Sequence, residues 1–364
     1  MRLLIRLFLI LFSNLILAQE NKDSGAIDFT LFRGNVIPHS PDLYHLITGH
    51  PEGAMFSFSK KTHGSEEWQS VYNYPDYGFY FLYQDFKNES LGKNYATGAF
   101  YNFYFLKRNL NLKIATGIAT TTNPYDKVTN SKNKAFGSKM MANIDFVLNY
   151  KKENLIDKFG IQGGLLFTHF SNGRFKSPNS GINTYCLVVG VNYNFDAIEN
   201  RPRDSIFSRM KFVEPIKYNI LLRTGYNESP VIGSGQKPFY HFGFYADKRV
   251  NRKSALQAGA ELFLTTSFKE FIKYRTIAYP EDHVAIDTDY KRVGIFIGHE
   301  LFINRISFET QLGYYVYQPF KYDVSFYDRV GIKYYITPKI FSGVSLVTHG
   351  FLAEAVECIV GVRL

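Results

Sequence analysis

The segment Thr168-His169-Phe170-Ser171-Asn172-Gly173, followed by Pro178-Asn179-Ser180-Gly181-Ile182-Asn183, holds the side chains best suited to nucleophilic chemistry. His169 and Ser171 are two apart, a spacing that puts them on one face of a β-strand. A serine hydroxyl becomes a nucleophile when an imidazole takes its proton, and a third polar group must hold that imidazole in place. A hairpin with its loop centred near Lys176 sets Asn183 opposite His169, where it can be the third group. Gly173 offers a backbone N–H, and Asn172 and Asn179 offer amide donors, to an oxyanion forming at the attacked carbonyl. Asn, Gly and Pro also favour turns for purely conformational reasons. The chemistry therefore rests on the joint pattern.

The elements that must position these residues are strands. Ala142, Ile144, Phe146, Leu148 and Tyr150 alternate with Asn143, Asp145, Asn149 and Lys151. Phe308, Leu312, Tyr314 and Val316 alternate with Glu309, Gln311 and Gly313, and Val330, Ile332, Tyr334 and Ile336 with Arg329, Gly331 and Lys333. A helix would space its apolar residues three and four apart. Further segments of period two lie near 53–61, 77–87, 94–107, 110–121, 158–171, 182–196, 217–228, 239–250, 253–267, 290–303, 339–348 and 355–364. Amphipathic strands separated by turns, in a chain rich in Phe and Tyr, predict an all-β transmembrane antiparallel barrel over 53–364. Bacterial single-chain barrels use even strand numbers. We expect one barrel of about fourteen strands, with twelve or sixteen also acceptable. Polar stretches at 122–138, 197–215 and 268–289 read as loops, and no linker marks a second domain.

Parity places the site. Ile161, Leu165, Phe167, His169 and Ser171 share one side of their strand, and Asn183, Tyr185, Leu187, Val189, Val191, Tyr193 and Phe195 share one side of the next. Thr184, Gly190, Asn192 and Asn194 mark the lumen side. The His169, Ser171 and Asn183 trio thus lies at the rim of the lipid-facing wall, where an enzyme cutting acyl chains needs its nucleophile. Likewise Val356, Cys358, Val360, Val362 and Leu364 oppose Glu357, Gly361 and Arg363 in a terminal strand of the kind that closes a barrel.

The first residues predict export. Arg2 and Arg6 precede an apolar run from Leu7 to Leu17, and Ala18 offers a small residue for cleavage, so 1–18 read as a signal peptide. The stretch 19–52, with Pro38, Pro41 and Pro51, reads as a periplasmic lead-in with room for one extra strand. The formal charge of +10 suits anionic lipid phosphates at a membrane surface, and the scattered basic residues fit no nucleic-acid-binding fold. The mean hydropathy of −0.17 is compatible with a barrel, because lumen-facing polar residues offset the lipid-facing ones.

His169, Ser171 and Asn172, with the turn Pro178-Asn179-x-Gly181, resemble the lipid A 3-O-deacylase family, outer-membrane barrels that hydrolyse an ester-linked acyl chain from lipid A. The resemblance implies His169 as general base, Ser171 as nucleophile and Asn172, Gly173 and Asn179 as the oxyanion region, with no cofactor. The family's catalytic acid falls on Asn183, which can orient an imidazole but cannot stabilise imidazolium by charge. The family barrel has eight strands, so the resemblance covers the region around 53–196 and leaves further strands without explanation.

The expected partners are therefore lipid A or a related glycolipid and the outer membrane, with dimerisation left open. A barrel without enzymatic activity, either a small-solute channel or an adhesion or scaffold protein, is the other functional class. His349 and Glu354 flank the last turn, where Glu354 is an alternative acid. His39, His45, His50 and His63 share no metal-ligand spacing.

Overall fold

A computed structural model describes residues 25–195, 212–321, 324–350 and 352–364. The expected signal peptide at 1–18 lies outside the described residues. Strand formation follows the alternating segments. The first eight strands are β1 (Gly25–Val36), β2 (Glu52–Lys60), β3 (Asp76–Asp85), β4 (Lys93–Phe105), β5 (Leu110–Thr121), β6 (Met140–Ile156), β7 (Phe159–Ser171) and β8 (Ile182–Asn194). The second eight are β9 (Lys217–Asn227), β10 (Lys237–Arg249), β11 (Ser254–Thr265), β12 (Arg292–Ile303), β13 (Ile306–Tyr317), β14 (Phe326–Tyr335), β15 (Ile340–His349) and β16 (Leu352–Arg363).

These strands close into two antiparallel barrels of eight strands each, β1–β8 and β9–β16. The expectation of one barrel of about fourteen strands is therefore wrong. Every expected segment is a strand, and β1 completes the sixteen. The closure that separates the barrels is long-range. β8 pairs back onto β1 from Ala26↔Asn194 to Val36↔Thr184, and β16 pairs back onto β9. The stretch 197–215, expected as a loop, falls at the junction between the barrels, most of it outside the described residues. The 268–289 stretch, also expected as a loop, contains a helix, Ser267–Ala278 (α2). Its Phe268, Phe271 and Ile272 pack with Phe320 at the mouth of the second barrel. A short helix, Glu67–Val71 (α1), lies between β2 and β3.

An eight-stranded barrel has an interior just wide enough for side chains to fill. In the first barrel Asp28 holds Lys151 at 2.7 Å, and Lys113 donates to Ser57 at 2.7 Å. Above them Leu43, Leu46, Phe86, Leu91, Phe136, Phe170 and Ile182 form an apolar cap. The second barrel is threaded by ion pairs. Arg329 meets Glu261 at 2.5 Å and Glu357 at 2.8 Å, Arg223 meets Glu309 at 3.0 Å, and Lys333 meets Glu309 at 2.7 Å. Such charges tolerate burial because each faces an opposite one.

The outer walls are the reverse. Along β8, Tyr185, Leu187, Val189 and Val191 are 50–71% exposed, while Thr184, Cys186, Val188 and Asn192 are buried. On β16, Val360 is exposed and Glu357 buried. A wall apolar outside and polar inside is the pattern of a barrel solvated by lipid.

Each barrel has its short turns at one end, at 106–109 and 157–158 in the first and at 304–305 in the second. The connections 37–51, 122–139, 172–181, 228–236 and 266–291 gather at the other end, while 61–75, which carries a short helix, lies with the short turns. The barrels touch at both ends. Near the short turns Tyr72 donates to the Phe302 carbonyl at 2.7 Å and Arg252 pairs with Glu67. At the long-loop end the β7–β8 connection meets the β9–β10 connection.

Candidate active site

β7 ends at Ser171 and β8 begins at Ile182, so the connection 172–181 lies at the long-loop end. The register sets His169 opposite Asn183 and Phe170 opposite Ile182. Phe170 and Ile182 point into the apolar cap, which turns His169 and Asn183 outward. This is the side that parity assigned to lipid.

His169 Nδ1 and Asn183 Oδ1 lie 2.6 Å apart. A side-chain carbonyl oxygen only accepts, so Nδ1 carries the hydrogen and donates it, leaving Nε2 bare to take a proton. The other end of the Asn183 amide is held as well. Asn183 Nδ2 lies 3.3 Å from His39 Nδ1, and His39 Nε2 lies 2.9 Å from the Ser180 carbonyl oxygen. His39 Nε2–H therefore donates to Ser180, while His39 Nδ1 faces both the Asn183 amide and the Ile37 carbonyl oxygen, the latter at 3.2 Å.

Ser171 is buried beside this row. Gly181, at φ +66°, approaches both catalytic candidates. A Cβ there would come within 3.1 Å of Ser171 Cβ and 3.2 Å of His169 Cε1. Only glycine adopts that backbone conformation freely and leaves that space open.

The connection itself is tightly bonded. The Asn172 N–H donates to Asn179 Oδ1 at 2.8 Å, and Asn172 Nδ2 donates to Ser138 Oγ at 3.0 Å and to the Lys176 carbonyl at 2.8 Å. Ser180 N–H and Gly181 N–H each donate, at 3.1 Å, to the carbonyls of Lys134 and Ala135 in the long loop between β5 and β6. Asn172 thus spends its donors on the connection and on the neighbouring β5–β6 loop. Among the described residues, the Gly173 N–H and Asn179 Nδ2 have no assigned acceptor.

The structure therefore gathers His169, Ser171, Asn172, Gly173, Asn179 and Asn183 within one hairpin end. It does not bring Glu354 there. Glu354 lies inside the second barrel, where Arg292 holds both its oxygens, at 2.5 and 2.8 Å. It cannot serve as the missing acid. Sequence reasoning missed His39, which is 144 residues from Asn183 and belongs to no local motif. Among the described residues there is no group of three or more His, Cys, Asp or Glu side chains placed to hold a metal ion.

Two family models match the chain: lipid A 3-O-deacylase (PagL) over residues 52–192, and the acyloxyacyl hydrolase C-terminal domain over 216–364. The second match spans all of β9–β16, and the first spans β2 to β8 and leaves out β1. Among solved structures, the siderophore receptor PirA from Pseudomonas aeruginosa is 9% identical, covering 95% of this chain and 81% of that one at a TM-score of 0.24. OccAB3 of Acinetobacter baumannii is 11% identical, covering 94% and 98% at a TM-score of 0.22. A Rh. blastica porin mutant is 9% identical, covering 94% and 99% at 0.18. Scores this low carry no argument about this chain. No curated protein matches it.

Proposed function

We propose, from the premise that this chain belongs to the lipid A 3-O-deacylase family, that it is an outer-membrane serine esterase removing an ester-linked acyl chain from lipid A or a related glycolipid. The observation that carries the reading is the His169–Asn183 bond, which leaves His169 Nε2 free on the face that Ser171 shares. His169 Nε2 takes the Ser171 Oγ proton as the oxygen attacks the ester carbonyl. The Gly173 N–H and Asn179 Nδ2 donate to the resulting oxyanion, while Asn172 holds the loop that carries them. Collapse expels the sugar alkoxide, which takes the proton back from His169. Water, activated by the same imidazole, then hydrolyses the acyl-enzyme.

Asn183 stands where the family carries an acid. Its neutral oxygen fixes the tautomer of His169, and His39 keeps that oxygen aimed at the ring. No charge compensates the imidazolium in the transition state, so the rate is lower than a carboxylate would give.

His169 and Asn183 lie on the apolar outer wall at the long-loop end, which in outer-membrane barrels faces outward. Acyl chains in the outward leaflet thus reach them without leaving the lipid. The filled interiors of both barrels disfavour a small-solute channel. Residues 1–18 direct export in this reading, and the substrate is the one partner it requires.

A long-chain alkyl fluorophosphonate tests the nucleophile. Peptide mapping should find the adduct on Ser171 and lose it in Ser171→Ala. Undiminished labelling of Ser171→Ala would remove Ser171 from the mechanism.

A further inference from the structure

We infer that the second barrel is a positioning device for the catalytic hairpin, acting through Glu228 on the connection that carries Gly173 and Asn179. The inference rests on the esterase reading of that hairpin and gives the β9–β16 barrel a part in it.

The connection between β7 and β8 emerges from the rim of the first barrel, and the β9–β10 connection of the second barrel grips it. Glu228 Oε2 accepts from the Ser177 N–H at 2.8 Å, and Glu228 Oε1 accepts from the Gly235 N–H at 3.0 Å. The Glu228 N–H donates to the Arg174 carbonyl at 3.0 Å. Ser177 Oγ donates to the Ser229 carbonyl at 2.8 Å, and Gln236 Nε2 donates to the Phe175 carbonyl at 3.0 Å. Ser177, Glu228 and Ser229 are 4% exposed or less. A buried carboxylate that bridges two chain segments through backbone N–H groups is costly to remove, since both donors then lose their acceptor.

Apolar packing reinforces the grip. Gly173, at φ +59°, lies so near the outer face of the second barrel that a Cβ would come within 2.2 Å of Val356 Cγ2 and 3.3 Å of Leu346 Cδ1. The residue with the unassigned N–H is thus pressed against β15 and β16. The hairpin is held from both sides, since the loop between β5 and β6 of the first barrel bonds Ser180 and Gly181.

Oxyanion donors lower a barrier only when they already point at the developing charge, because reorienting them during reaction consumes the gain. The bonds to Arg174, Phe175 and Ser177 fix the span between Gly173 and Asn179. Glu228 touches neither the nucleophile nor the oxyanion donors, so its role is positioning.

The test uses the full chain in detergent micelles with purified lipid A, and Glu228→Ala as the variant. Two readouts are taken: kcat and KM for deacylation, and backbone hydrogen exchange over 172–181 by mass spectrometry. Exchange should rise across 172–181 while the strand amides of both barrels stay protected. kcat should fall about 10- to 100-fold with KM changed less than about threefold, the scale on which misplaced catalytic groups lose rate. Glu228→Gln keeps one acceptor oxygen and should fall between wild type and Glu228→Ala, which retains a measurement if the alanine variant fails to assemble. Unchanged exchange in these variants would show that Glu228 does not hold the loop. Raised exchange with unchanged kcat would show that the hold is structural only. Either result overturns the inference. A wild type without Ser171-dependent hydrolysis overturns the esterase reading instead, and the exchange measurement still decides whether the clamp exists.

Discussion

Removing the Asn183 side chain isolates the least usual feature of the site. In Asn183→Ala, His169 Nδ1–H loses its acceptor at 2.6 Å, and His39 loses the amide it holds. The ring is then free to rotate and to place its hydrogen on Nε2, the tautomer that cannot take the Ser171 proton. The lost bond involves an imidazole that becomes cationic in the transition state, and hydrogen bonds to charged groups contribute about 1.5–3 kcal/mol. At about 1.4 kcal/mol per tenfold in rate, kcat falls roughly 10- to 150-fold. KM should hold steady, because the amide lies behind the imidazole and away from the ester. The companion variant Asn183→Glu supplies a charge. An anion beside His169 favours imidazolium, so the ring stays protonated to higher pH and the acidic limb of the pH–kcat profile moves upward. Initial rates on micellar lipid A across pH give both quantities. If Asn183→Ala keeps wild-type kcat at every pH, Asn183 is a turn residue and the positioning account is wrong.

Three further outcomes follow from the same contacts. His39→Ala releases the far end of the Asn183 amide and the Ser180 carbonyl but leaves the His169–Asn183 bond in place, so kcat should drop about fivefold, the scale of one ordinary hydrogen bond, and less than in Asn183→Ala; an equal or larger drop would mean that His39 acts on the substrate directly. Glu261→Ala withdraws a carboxylate from both Arg223 and Arg329 inside the second barrel and should destabilise the folded protein by about 3 kcal/mol, read from urea unfolding in micelles. The Asp126 carboxylate is held below its ordinary value of 3.8 by the backbone N–H groups of Thr129 and Val128 and by the Thr129 hydroxyl. A depressed acid stabilises its loop fully above the ordinary value and loses that contribution as pH falls through the depressed one. Exchange at Val128 and Thr129 should therefore stay slow at neutral pH and, corrected for intrinsic rates, quicken below about 3.8 in wild type but not in Asp126→Asn.

The hairpin was legible because its information is local. Period two assigns faces strand by strand, and a ten-residue connection between Ser171 and Ile182 leaves little freedom in which residues oppose each other, so His169 and Asn183 could be paired from spacing. Closure is not local. Nothing within β8 says that it returns to β1 rather than continuing to β9, and β1 reads as part of a lead-in because Pro38, Pro41 and Pro51 follow it. A signal for two barrels was nevertheless present in the inward residues. Arg223, Arg292, Glu261, Glu309, Arg329, Lys333 and Glu357 can be buried only if opposite walls are close enough for them to pair, which requires a narrow barrel. The helix Ser267–Ala278 was readable from Phe268, Phe271 and Ile272 at spacings of three and four, yet its charged residues gave the segment the composition of a loop. His39 and Glu228 could not be found this way, because each reaches the hairpin only through tertiary contacts.

The central claim is that Ser171, activated by His169, removes an acyl chain from lipid A. Mass spectrometry of purified lipid A incubated with the wild-type protein tests it most directly. The account predicts a product lighter by one ester-linked acyl group, absent with Ser171→Ala in a barrel that still assembles. The same product from Ser171→Ala, or unaltered lipid A from the wild type, would contradict it.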